Sequence, residues 1–175
     1  MLSIKNLLFL AVAATGSVII KRDVETVKQD LRTINDDTTA VTAAVNNYNG
    51  GGFAAAIPIV NAQNKLSRDI RSATTDAQNA GPASEADADD IIGYITNTLE
   101  PNIKTTLSAL KSKKSKFDAD GLSGTVKSSL QNLKSDTDKL SAALVSASPS
   151  SRAQAAQSIA NTIDADFDDA IAYFS

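Results

Sequence analysis

From Val24 to Tyr48 an apolar side chain returns every three or four positions: Val24, Val27, Leu31, Ile34, Val41, Val45 and Tyr48, with Thr38 in the one slot that breaks the series. That spacing puts a single apolar stripe on one side of an α-helix and does not fit the two-residue alternation of a strand. The run stops at "YNGGGF", because three glycines have no preference for helix and are costly to order. The same pattern recurs four more times. A second segment, from about Phe53 to Asn79, carries Ile59, Leu66, Ile70, Ala73 and Ala77, with Ile57 and Val60 beside the stripe. A third, from about Ala83 to Lys116, carries Ile91, Ile92, Ile95, Leu99, Ile103, Leu107 and Leu110. Pro101 falls inside it and predicts a kink or a split near Leu99, since proline removes one helical hydrogen bond. A fourth carries Leu122, Val126, Leu130, Leu133, Leu140 and Leu144 with Thr137 in the gap, and a fifth carries Ile159, Ile163, Phe167, Ala170, Ile171 and Phe174. Strand patterns and internal repeats are absent. The chain is therefore expected to be all-α: an antiparallel bundle of about five amphipathic helices, each roughly 37 Å long at about 25 residues.

The residues before the first stripe are of another kind. Lys5 supplies a short positive region, Leu7 to Ala14 an apolar one, and Ala14 and Gly16 a small-x-small cleavage pattern. Residues 1–16 are expected to be a secretory signal peptide, because eight apolar residues fall far short of the roughly 20 needed to span a bilayer. Lys21-Arg22 is the pattern of a dibasic processing site, so residues 17–22 are expected to be a short pro-segment and residues 23–175 one helical-bundle domain. The expected product is secreted and extracellular.

Composition excludes several functions. Residues 23–175 carry 14 Lys and Arg against 20 Asp and Glu, a net charge of −6. An acidic domain is a poor partner for nucleic acid and for anionic membranes by overall charge. There is no Cys and no His, which removes the thiolate nucleophile, the imidazole base and the usual zinc ligands. No disulfide is available, so the core alone must hold the fold. There is no Asn-x-Ser/Thr sequon either, although the many Ser and Thr leave room for O-linked sugar.

Motifs that resemble sites have simpler explanations. "DADFDD" (164–169) alternates carboxylates as calcium loops do, but it lacks the required Gly and Glu and lies within a helical stripe. "EADADD" (85–90) opens the third helix, where negative charge suits the helix dipole. Ser108 and Lys111 match S-x-x-K without its partner motifs. Gly50-Gly51-Gly52 is not followed by the residues of a phosphate loop. "KSKKSK" (111–116) is expected to be a solvated helix end. The aromatic residues are too scattered to stack bases and are expected in the core or at helix ends. No catalytic or metal site and no cofactor is expected.

The core is thin. Leu, Ile, Val and Phe make up 32 of residues 23–175, near the level at which disorder becomes plausible, and Ala, Ser and Thr fill many positions beside the stripes. Small residues either let helices approach closely or leave space between them. A hollow, apolar interior would suit a lipid. A dry, filled core is equally consistent with the residues.

"DVETVKQDLRTINDDTTAVTAAVNNYNGG", with its D-x-x-x-V-x-x-D-L-x-x-I pattern and terminal N-x-Y-x-G-G, resembles the fungal hydrophobic surface-binding protein A family, which includes the cell wall galactomannoproteins. The resemblance extends over Asp23 to Phe174 and includes the Gly-rich stop and the Pro-interrupted central helix. It implies a secreted, non-enzymatic helical bundle. Some members look like fatty-acid carriers with a tunnel between helices. Others are associated with adsorption to hydrophobic solid surfaces and with recruiting secreted hydrolases. The Ser/Thr-rich tails or lipid anchors of wall-bound members are not found here, which leaves association with the cell wall open. The family supplies no catalytic motif. Placed on the stripes, an apolar-ligand site is expected to use Ile34, Val41, Ile57, Val60, Ile95, Leu99, Ile103, Leu130, Leu133, Ile163 and Phe167. The unit could be a monomer or a dimer.

Overall fold

The computed structural model describes the backbone of residues 4–175 and the side chains of residues 23–175. The leader and the dibasic pair expected above lie outside the residues whose side chains are described. Helix α1 (Ile4–Asn47) is followed by α2 (Gly52–Asn79), α3 (Glu85–Tyr94), a π-helical turn (Ile95–Leu99), α4 (Glu100–Ser112), α5 (Lys114–Ala119), α6 (Ser123–Ala147) and α7 (Ala153–Tyr173). No strand occurs among the described residues.

The expected third helix is one rod in three pieces. Pro101 has no N–H to give the carbonyl four residues back, and its ring would crowd that carbonyl. The chain widens by one residue just before it, and the Glu100 N–H donates to the Ile95 carbonyl. Such an insertion is the usual way a helix absorbs a register change without breaking. The α-helix is thus interrupted at Ile95–Leu99, where the sequence predicted a kink or a split, while the backbone stays helical from Glu85 to Ser112.

The rods close into a ring. α1 packs on α2, α2 on α6, α6 on α7, α7 on α4, and α4 back on α1. Rods consecutive in sequence run in opposite directions, while α1 and the α3–α4 rod rise together, as contacts from Lys28 to Asp87, Asn35 to Asn102 and Tyr48 to Lys113 show. Five rods about 9 Å apart place the ring's centre about 8 Å from each axis, beyond the roughly 5 Å radius of a helix with its side chains. Only large side chains reach that centre.

Both ends of the bundle are tied. At the α1–α2 end, Phe117 of α5 is 1% exposed and stacks on Tyr48, with ring centroids 4.7 Å apart. Phe174 closes on Phe117 from α7, at 6.3 Å between centroids. The lysine run expected to be a solvated helix end instead caps α1. Lys113 Nζ donates to the Asn46 and Tyr48 carbonyls at 2.8 and 2.7 Å, and Lys116 to the Asn49 carbonyl. These are carbonyls that a helix end leaves without intrahelical partners. The triglycine loop has φ of +91°, +112° and +72° at Gly50, Gly51 and Gly52. Asp120 is held below the usual carboxylate range by the Tyr48 hydroxyl and by the backbone N–H groups of Gly52 and Gly51. Burial and the same contact push the Tyr48 phenol up to about 12. At the other end the Ala83 N–H donates to the Ala147 carbonyl, and Ser84 caps α3 by accepting from the Asp87 N–H.

Gly51 and Gly93 give opposite expectations. A side chain at Gly51 meets a strained backbone and the Ala55 Cβ at 3.1 Å, so Gly51→Ala is expected to destabilise the bundle by about 1–3 kcal/mol. Gly93 is helical with open space around it, so Gly93→Ala is expected to stabilise by about 0.5–1 kcal/mol. Urea unfolding of the two variants checks both signs.

Candidate functional site

The large side chains of all five stripes converge on the ring's centre without closing it. A cavity of about 80 Å³, counted as space open to the centre of a water molecule, runs along the bundle axis. Its α6 wall extends from Leu130 to Leu144, about 21 Å at 1.5 Å per residue. A second cavity of about 60 Å³ continues it toward the triglycine loop, lined by Phe53, Val60, Phe117, Leu122 and Val126 among others. The two share Val41, Leu110, Leu130 and Leu133, so only side chains common to both walls divide them.

Among the described residues no charged side chain lines either cavity. The polar groups lining the first one are the hydroxyls of Thr38, Thr106, Thr137 and Ser141. Thr38 donates to the Ile34 carbonyl at 2.7 Å, and Thr106 is engaged with the Asn102 carbonyl at 2.9 Å and the Thr42 hydroxyl at 2.6 Å. All other lining side chains are apolar, so the wall suits hydrocarbon. At about 24 cal/mol per Å³, leaving the first cavity empty costs about 2 kcal/mol. The π-helical turn lies in the wall, with both of its ends, Ile95 and Leu99, lining the cavity.

Charge is confined to the seams between rods. Lys134 of α6 pairs with Asp164 and Asp168 of α7, Lys111 with Asp169, and Arg152 with Asp89. The acidic runs 85–90 and 164–169 are thus bonded mainly across helix seams, and among the described residues no cluster of three acids could hold a metal ion. The α1–α2 seam is more loaded. Asp30 faces Asp76, and one turn pair further along, Asp37 faces Asp69 with Lys65 between them. Burial, then the Asp76 carboxylate beside it, pushes Asp30 up to about 6. Burial likewise raises Asp37, while Lys65 holds Asp69 down.

Of the eleven residues expected to line a ligand site, nine surround the first cavity: Ile34, Val41, Ile95, Leu99, Ile103, Leu130, Leu133, Ile163 and Phe167. Val60 lines only the second. Ile57 lines neither and is 44% exposed. It stands two residues before Ile59, about 200° around the helix, and so points away from the stripe. Eleven further residues line the cavity, most of them stripe leucines such as Leu31, Leu66 and Leu107, and among them are Thr38 and Thr137, the two positions that interrupt heptad stripes. Their place in the stripe register was the available signal.

Asp30 makes a pH prediction. Its folded pKa lies above its unfolded one, so the native state holds a proton that the unfolded chain has lost, and this group's contribution falls as pH rises from about 4 through about 6. Asp30→Asn is expected to raise the melting temperature at pH 7 and to gain little at pH 4. Thermal unfolding of both proteins across that range tests it, and a constant difference would contradict the assignment.

A family model described as "Hydrophobic surface binding protein A" matches residues 24–146. The crystal structure of AFMP4P in complex with palmitic acid is similar at 34% identity and a TM-score of 0.83, covering 87% of this chain and 99% of that one. Ligand binding domain 1 of the Penicillium marneffei MP1 protein, complexed with arachidonic acids, has the same fold at 22% identity and a TM-score of 0.82, covering 87% and 99%. Domain 2 of that protein, complexed with multiple arachidonic acids, aligns at 20% identity and a TM-score of 0.70, covering 90% and 95%. No curated protein matches the chain.

Proposed function

Because the chain belongs to the hydrophobic surface binding protein A family, we propose that it is a non-enzymatic binding protein that holds a fatty acid or a similarly apolar ligand along the bundle axis. The observation that carries this is the pair of end-to-end cavities, lined by apolar side chains from all five rods and by no charge. A 34% identical relative crystallised with palmitic acid supports the ligand class. An ionised carboxylate would have no partner inside, so the ligand's head group belongs at an end of the cavity and its tail within. Secretion, with the leader removed and the mature chain starting at Asp23, fits a carrier outside the cell.

A second reading is adsorption to hydrophobic solids such as wax, polyester or cuticle, with recruitment of secreted hydrolases. The family's description and the exposed Phe53 and Ile57 favour it. The two readings separate on one variant. Leu99 is 4% exposed on the cavity wall, and a tryptophan there would occupy the space a tail needs. Leu99→Trp is expected to weaken palmitate binding at least about tenfold, about 1.4 kcal/mol, with helical circular dichroism retained. Undiminished binding by the folded variant would refute the lumen as the site. Unchanged adsorption to polystyrene by the same variant would separate that activity from the lumen.

A further inference from the structure

Residues 38–64 contain no charged side chain. They form the last turns of α1, the triglycine loop and the first turns of α2, so one end of the bundle is an uncharged hairpin tip. At that tip Phe53 and Ile57, one helical turn apart, are 58% and 44% exposed, with Ala54, Ala55 and Pro58 exposed beside them. Phe53 also lines the second cavity, so a single side chain meets both solvent and the interior. The turn that carries it is weakly held. Gly51 gives α2 no side-chain cap, and Pro58 has no N–H to offer the Ala54 carbonyl.

Charge near the tip has the opposite sign to the rest of the bundle. Residues 111–127 contain five Lys and two Asp. Lys111 is paired with Asp169 and Lys114 with Asp118, so Lys113, Lys116 and Lys127 stand against Asp120, a local surplus of two positive charges in a domain whose total is −6. Lys113 and Lys116 bind backbone carbonyls of residues 46–49, so those contacts leave their charge uncancelled. An apolar tip beside surplus lysine is complementary to a surface with an apolar interior and anionic head groups.

We propose that this tip is the ligand's entrance and that it docks on an anionic lipid–water interface, with Phe53 as the movable wall between the interface and the second cavity. The proposal rests on the lumen being a ligand site. Docking lets an acyl chain pass from lipid into the bundle without crossing water, and the overall negative charge directs contact to this one end. Lys127 of α6, half-buried next to the cavity-lining Val126, belongs to the same basic segment.

The test follows transfer of a fluorescent fatty acid from vesicles to the protein. With phosphatidylcholine vesicles containing phosphatidylglycerol, the rate is expected to rise with vesicle concentration. It is expected to exceed the rate from phosphatidylcholine alone at least about fivefold at low salt, and to lose that advantage at high salt. Ile57→Asp, which alters neither cavity wall, is expected to lower the vesicle-dependent rate at least about fivefold, while affinity for the probe in buffer stays within about twofold. A rate independent of vesicle concentration, or one unchanged in Ile57→Asp, would overturn the entrance. If the wild type takes up no probe in buffer, the lumen reading fails on its own. Co-sedimentation then decides the docking: retention on phosphatidylglycerol vesicles that Ile57→Asp abolishes supports it, and no retention overturns it.

Discussion

Five helices closed into a ring leave a centre that only long side chains can reach. The third rod enforces this geometry, because it alone packs on both α1 and α7 and so completes the circle. The rod does so across Pro101, which removes one helical hydrogen bond. The π-helical turn takes up the lost hydrogen bond locally and keeps Ile95 and Leu99 on the inner wall. A ring so closed needs bulk at its middle, and this chain is sparing with bulk. Thr38 and Thr137 occupy stripe positions where leucine would fill the space, so the centre is left partly empty.

The seams do the polar work. Thr42 and Thr106 hydroxyls meet at 2.6 Å between α1 and α4, Asn102 donates to Asn35 at 2.7 Å, and Ser67 donates to the buried Asp136 between α2 and α6. Most surface ion pairs contribute little energy, but here they set register. Each rod is pinned at several heights to its neighbours, which fixes which side chains face inward. Because polar groups find partners on the seams, the lumen is left to hydrocarbon.

Much of this was legible in the sequence because a helical stripe encodes both an element and its buried face. The five rods, the Gly-rich stop and nine of the cavity-lining positions follow from spacing alone. What escaped depends on neighbours. The lysine run looks solvated until Lys113 and Lys116 are found over the end of α1. Ile57, expected beside the stripe, stands exposed at the tip and lines neither cavity. Whether the interior is filled or hollow depends on how closely five rods approach one another, a quantity that no single stripe contains.

A partly empty core also links occupancy to stability. With total stabilities of small domains near 5–15 kcal/mol, about 2 kcal/mol of unfilled cavity is a sizeable fraction. A bound tail recovers contacts that the empty protein forgoes, and by mass action any ligand selective for the folded state raises its stability further. The acid-laden α1–α2 seam works in the other direction: above pH 6 Asp30 becomes a partly buried charge beside Asp76, weakening the same hairpin. Filling the lumen strengthens the hairpin's inner face, and charging the seam loosens its flank. If the lumen holds the proposed ligand, its retention responds to pH through α1 and α2, although among the described residues no titratable side chain touches the cavity.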